Sequence, residues 1–585
     1  MKNKLSHFFN LFLLIGSILV FITSCSKEEK QQEAFDQFLY DFYVQEVQSD
    51  SLTLNYSLSQ PENFGIEYPE ASLGEFSIDK INESKAYTEK MIKKLKSYDQ
   101  NSLRQDQQLT YTILLKYLED ALDLAQYTFY REYLGPTTGL QAQLPILLAE
   151  YNFYKKEDID RYLELLPCVY DYFKDIGDFQ KEKSNEGLFM SDDVADSIIK
   201  QCTSFIESPE ENFLIEYFDQ KINQYDSLTN EEITSYKKAN KEAVINYIVP
   251  AYEGLISNLE DLKGSGSNNG GLCNYPKGKD YYKSLVTLKT ASDKSMDEMA
   301  KMLDDAIADR LLHINLLAIS DPLLLDRLMD FQAFPITEPD QILADLKDKI
   351  LVDFPEPLTV SCEIKYVHES LEDHLSPAMY LVPALDNYTD NNIYINGNTE
   401  ENLSMIYTTM AHEGYPGHLY QNVYFLGQNP HPIRTLMNFV GYDEGWATYV
   451  EMYSYHLSGI DDNLAELLAA NNIAILCMYA RADIAIHYEG WSKDKTIAYL
   501  DNIIANRPLT ETIYSTILEE PGAYLPYAVG YLELMGLREK AEEKLADDFI
   551  LKDFHKFILD IGPAQFAVID DYLDSWIADR LEDSN

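Results

Sequence analysis

Ala411-His412-Glu413-Gly414-Tyr415-Pro416-Gly417-His418-Leu419-Tyr420-Gln421 is the stretch on which the reading of this 585-residue chain turns. It holds two of only ten histidines, six positions apart, with a carboxylate directly after the first. The run before it, Glu401 to Met410, reads as a helix leading into His412. In the usual zinc-protease helix two histidines four apart share one face and grip one metal, and the glutamate between them serves as base. Six apart fails on an unbroken helix, because at about 100° per residue the second ring points roughly 240° away from the first. Pro416-Gly417 offers a remedy. Proline interrupts the backbone ladder and glycine accepts unusual dihedrals, so a bulge here loops out two residues and returns His418 beneath His412. The plainer alternative is a helix that ends at Pro416, with both histidines capping or packed.

Downstream, Asn429 to Arg434 reads as a loop, and Gly441-Tyr442-Asp443-Glu444-Gly445-Trp446-Ala447-Thr448-Tyr449-Val450-Glu451 opens a helix. Glu444 stands 26 residues after His418, enough for a loop and a second helix laid antiparallel to the first. That helix would offer a third, carboxylate ligand and leave a fourth place for water. Glu451, two turns further along the same side, is the competing candidate. On the next helix Asp483 and His487 share a face at four spacing, whereas Arg481 and Asp483 do not. His487 could hydrogen-bond a tetrahedral intermediate, or be an ordinary core histidine. Pro521 to Leu537 holds Tyr527, Gly530 and Tyr531, followed by Arg538. A tyrosine hydroxyl suits an oxyanion, and an arginine (Arg434, Arg481 or Arg538) suits a bidentate clamp on a substrate carboxylate.

Upstream the pattern is helical from about Ala34 to Tyr130 and again in stretches between Asp158 and Leu259, with a loop at Gly135 to Gly139 and a kink or break expected at Pro250, and no 20-to-50-residue repeat is evident. Lys263 to Gly271 reads as a surface loop, since no strand precedes its glycines. Leu358 to Ile364 and Asn392 to Asn396 read as strands, giving a small sheet just ahead of the histidine helix. An exposed edge of such a sheet can take up extended peptide backbone. The fold expected is mainly α, a large helical body with a small β-sheet beside the helix of His412. The divisions expected are a signal peptide over 1–24, a tether over 25–33, a helical region over 34–355 and a catalytic region over 356–585, the last two forming one continuous body.

The chain is 46% hydrophobic and 25% charged, so it is globular and long enough for a large core. Lys and Arg number 47 against 97 Asp and Glu, a net charge of −50, which argues against nucleic acid and against anionic membrane surfaces as partners. Lys2 and Lys4, then the apolar run Leu11 to Phe21, then Ser24-Cys25, form a signal peptide too short to span a bilayer. Its end resembles a bacterial lipobox, with Cys25 lipidated and a polar tether from Ser26 to Glu33. Removing 1–24 takes away two lysines and no acid, which leaves −52. The five remaining cysteines are scattered, without a CxxC pair, so neither a disulfide scaffold nor a thiolate metal site is expected.

His412-Glu413-Gly414-Tyr415-Pro416-Gly417-His418 with Gln421, then Glu444-Gly445-Trp446-Ala447, then Arg481, Asp483 and His487, then Tyr527-Ala528-Val529-Gly530, resemble the DUF885 family. These are bacterial proteins, often lipoproteins, related to zinc peptidases of the gluzincin type. The resemblance implies a largely helical fold with a small sheet, like helical zinc carboxypeptidases. It implies one Zn2+ held by His412, His418 and Glu444, with Glu413 as general base. Tyr527, His487 and Arg481 map onto positions near the cleft. The function expected is a zinc-dependent peptide hydrolase, read as a metallo-carboxypeptidase. Tyr527 or His487 would steady the oxyanion, and Arg434, Arg481, Arg538 and Tyr531 would contact substrate. Two rivals stand beside it. One is a zinc amidase acting on a non-peptide substrate, and the other is an anchored surface lipoprotein that binds peptide without turnover.

Overall fold

The three- and four-residue apolar spacing along the chain folds into helices from residue 27 onward. The structure, a computed structural model, describes residues 27–225, 227–367, 372, 376–397, 404–504 and 506–583. Cys25 and the expected signal peptide lie outside the described residues. The first helix, α1 (27–47), takes in residues expected as a tether: 27–33 form its exposed opening turns. Lys, Glu and Gln are good helix formers, and Phe35, Leu39 and Tyr43 bury the turns that follow, so the polar run is drawn into the same helix.

Two hydrophobic cores organise the chain. The larger runs from Phe35 to Ile577 and includes Trp446, the largest fully buried side chain. The second packs helices between Leu73 and Leu259. Before Pro250 the helix widens into a π turn over Val244–Ile248 instead of breaking. The proline lacks an amide and crowds the carbonyl four residues back, and the wider turn absorbs both.

The sheet has three strands, β1 (Ser361–Tyr366), β2 (Ala378–Leu381) and β3 (Asp390–Ile395), in the order β1-β3-β2. β1 runs parallel to β3, in register from Ser361↔Asp390 to Tyr366↔Ile395. β2 runs antiparallel to β3 and forms an edge, with Tyr380 opposite Ile393. The two strands read from the sequence are β1, which lies two to three residues later than expected, and β3, which lies one to two residues earlier. The short edge strand β2 is an addition, and it lies against α2 (Ile406–Glu413), the helix that ends in His412 and Glu413. The expected architecture, mainly α with a small sheet beside this helix, is the one observed. Five further helices position the site: α3 (His418–Gly427), α4 (Val440–Ser454), α5 (Asp462–Ile484), α6 (Leu525–Leu545) and α7 (Leu551–Ile561).

Candidate metal centre

Between the two histidines the helix does not bulge; it stops and restarts. α2 ends at Glu413, Gly414 leaves helical dihedrals (φ −108°, ψ −103°), the Tyr415–Pro416 peptide is cis, and α3 begins at His418. Gly417 sits so close beneath α2 that a Cβ there would lie 1.8 Å from the His412 carbonyl oxygen. The Trp446 indole donates to the Pro416 carbonyl at 2.8 Å and ties this link to α4. The result is the juxtaposition expected from Pro416-Gly417, reached by two helices and a tight link. The rings of His412 and His418 meet edge to face with centroids 4.9 Å apart.

Glu444 on α4 completes the group. Its Oε2 lies 3.4 Å from Nε2 of both histidines, and ligand atoms of the three residues fall within 4.8 Å of one another. That Oε2 is buried and accepts no hydrogen bond. An acceptor buried without a donor is costly, and here two imidazole nitrogens converge on that same oxygen. One divalent cation satisfies all three, and two histidines with a carboxylate are a familiar donor set for it. The other nitrogen of His412, Nδ1, lies 3.0 Å from Oε2 of Glu451. Glu451, read from the sequence as a competing ligand, therefore stands behind the ligand and fixes which nitrogen faces inward.

The charges respond to this crowding. Burial works against protonated His412, yet the Glu444 and Glu451 carboxylates that face its two ring nitrogens, with Glu413 nearby, raise it well above the usual imidazole range. His418 rises too, against burial, through Glu444. Burial opposes ionised Glu444, but the two histidines hold it well below the ordinary carboxylate value. Burial lifts Glu413, partly offset by His412 and His418. Its Oε2 accepts the Tyr380 backbone N–H at 2.8 Å, an amide on the side of β2 turned away from β3. That contact was not foreseen, because a four-residue strand is too short to announce itself by alternation. Asp443, beside Glu444, is pushed up to about 7 by burial.

Tyr527 on α6 completes the site. Its ring lies 6.4 Å from that of His412, and burial followed by Glu444 and Glu413 keeps its hydroxyl protonated far above its usual range. It arrives there because α4 and α6 cross with no side chain between them. A Cβ on Gly445 would meet the Gly530 backbone at 2.5 Å, and one on Gly530 would meet the Gly441 oxygen at 2.0 Å. Glu444 is the neighbour of one glycine, and Tyr527 lies one turn before the other.

The remaining candidates from the sequence are held elsewhere. His487 is buried with both ring nitrogens engaged: Nδ1 accepts from the Leu272 amide at 3.2 Å and Nε2 donates to the Ile517 carbonyl at 2.9 Å. Burial lowers its pKa, so it is a neutral bridge between segments. Asp483 beside it accepts from the Tyr282 hydroxyl and the Gly522 amide. Arg481 pairs with Asp304 at 3.1 Å and Glu489 at 2.8 Å. Arg538 pairs with Glu542 at 2.7 Å and donates to the Tyr449 hydroxyl. Tyr531, one turn beyond Tyr527, lines a different cavity beside Arg310. Arg434 alone among the candidate arginines borders the metal group. It lines a cleft of about 600 Å³ together with His418, Gln421 and Glu444. That cleft also takes walls from Thr53, Tyr56 and Leu147, and from β2 and Pro563.

Comparison with known proteins places this arrangement among relatives. A candidate lipoprotein from Colwellia psychrerythraea has the same fold, with a TM-score of 0.81 at 20% identity over 93% of this chain and 99% of its own. A candidate lipoprotein of unknown function from Shewanella oneidensis matches with a TM-score of 0.65 at 16% identity, covering 92% of this chain and 99% of its own. A candidate oligoendopeptidase F from Bacillus anthracis reaches 10% identity over 88% of this chain and 97% of its own, and its TM-score of 0.30 is too low to carry an argument. None of the curated proteins matches. The profile of a family described as bacterial proteins of unknown function matches residues 60–572, which takes in every residue of the metal group, and the chain belongs to that family, DUF885.

Proposed function

We propose that this protein is a zinc-dependent peptide hydrolase that removes residues from the C-terminal end of its substrates. One observation carries the reading: the orphaned Glu444 Oε2 equidistant from two imidazole nitrogens, with a second, non-liganding carboxylate, Glu413, next to the first histidine. His412, His418 and Glu444 would hold the ion. Zinc bound there supplies Lewis acidity, drawing electron density from a scissile carbonyl and making water a stronger acid. Glu413, held by the Tyr380 amide and raised by burial toward a useful basicity, takes the proton from the attacking water and passes it to the leaving amine. Tyr527, kept protonated, donates to the oxygen on which charge develops. Extended substrate aligns along the outer edge of β2, where the Tyr380 carbonyl faces the same side as its amide. We read 34–355 and 356–585 as one body, since the larger core draws on both. We place the protein at the cell envelope, held by a lipid on Cys25.

Metal analysis of the purified protein, with a peptide-library digest read by mass spectrometry, tests this. About one zinc per chain and progressive trimming from C-termini are expected. Glu413→Gln should keep the zinc and lower turnover by roughly 10²–10⁴-fold. A protein without zinc that yields no cleavage products, or a Glu413→Gln variant with full turnover, sinks the proposal.

A further inference from the structure

Arg434 is 4% exposed and has no carboxylate partner among the described residues. One of its terminal nitrogens donates to the Ile561 and Pro563 carbonyls, each at 2.9 Å, which fixes the head of the side chain where α7 ends. Its flat face lies over the Phe425 ring, 5.3 Å from the centroid. Its Nε finds no acceptor. Gln421, one helical turn after His418 and also 4% exposed, leaves its Nε2 without an acceptor. Both residues line the cleft that His418 and Glu444 border. A buried cation without a counter-ion is unfavourable by itself, and two buried donors without acceptors add to the cost. A single ligand anion relieves both.

The rest of the cleft limits what that ligand carries. Among the described residues Asp443 and Glu444 are the only carboxylates lining it, and both belong to the metal end. Leu381, Val382, Phe425, Leu426, Leu436 and Met437 supply apolar wall. A volume of about 600 Å³ has the size of a small-molecule site and holds only a short length of peptide.

We propose that Arg434 and Gln421 bind the free C-terminal carboxylate of a peptide whose last side chain is apolar, an inference that rests on the peptide-hydrolase reading for its reaction. The guanidinium's fixed head makes the anchor ready-made, so little ordering is needed on binding. The apolar wall takes the terminal side chain and offers no partner to a charged one.

Matched peptides ending in leucine as free acid, leucine as amide, and glutamate as free acid test it on the zinc-loaded protein. The free leucine acid should be preferred roughly tenfold to a hundredfold over its amide, mainly through KM, and over the glutamate peptide by a similar factor. Arg434→Met should lower cleavage of the acid far more than that of the amide, so that the preference between the two shrinks toward one. Because that variant also loses two carbonyl contacts, its fold is checked by circular dichroism, and Gln421→Leu provides a milder second variant. Calorimetric titration with N-acetyl-leucine and N-acetyl-leucinamide reads the same site without turnover. Equal cleavage of acid and amide overturns this inference and leaves the hydrolase standing. Binding of N-acetyl-leucine alone, lost in Arg434→Met, with no hydrolysis of any peptide, upholds the anion site and removes the hydrolase. Neither binding nor cleavage removes both.

Discussion

His412 turns one ring nitrogen toward Glu444 and gives the other to Glu451 at 3.0 Å. That second contact decides the tautomer, because a carboxylate at Nδ1 keeps a proton there and leaves Nε2 free for a cation. Glu451→Gln should weaken metal affinity roughly tenfold to a hundredfold, measured by competition with a chromophoric chelator. The pH dependence carries the finer signature. Carboxylates hold His412 and His418 protonated to higher pH than free imidazole, and metal must displace those protons. Affinity should therefore climb as pH rises through the raised values and level off above them. In Glu451→Gln the levelling should begin at lower pH, although the plateau is weaker. An unchanged profile with unchanged affinity would contradict this role. The clustering of His412, His418 and Glu444 was legible in the sequence because rare histidines, a break signal and a distant glutamate stood in one pattern. Glu451 was visible only as a rival ligand, since two helical turns of spacing do not say which side of an imidazole a carboxylate will meet. Arg434, Arg481 and Arg538 looked alike for the same reason: their counter-ions, or the lack of one, come from segments more than a hundred residues away or from the local turn.

The crossing of α4 and α6 is set by glycines on both helices. Gly530→Ala puts a methyl carbon 2.0 Å from the Gly441 oxygen, backbone that cannot swing aside. The helices must separate, which costs about 1–3 kcal/mol or more, and Tyr527 moves away from Glu444 with them. Thermal unfolding should show a lowered Tm. Peptide turnover should fall more than metal content, since the three candidate ligands sit on α2, α3 and α4. Retained Tm and turnover together would mean that the crossing is looser than described. At this scale the sequence announced the interruption at Pro416-Gly417 but not its form. A bulge and a full break with restart satisfy the same local rules, and only packing of the link under the Trp446 indole selects the second. β2 escaped notice because four residues of edge strand, Ala378 to Leu381, are too few to show a period.

Across the molecule, α1 belongs to the same core as the metal helices although it precedes the family match, which begins at residue 60. Phe35, Leu39, Tyr43 and Val47 are each at most 1% exposed. At roughly 1.5–3 kcal/mol for each large apolar side chain buried, their loss rivals the 5–15 kcal/mol that usually holds a domain together. A chain beginning at residue 60 should therefore be insoluble or unfold at much lower temperature, as read by calorimetry beside the chain from residue 27. Full stability in the shorter chain would show that α1 is dispensable. The cleft described above takes Thr53 and Tyr56 from one end of the sequence and Pro563 from the other. Its chamber thus needs both ends of the chain packed against the middle. A copy clipped at either end would keep His412, His418 and Glu444 but lose walls of the chamber beside them.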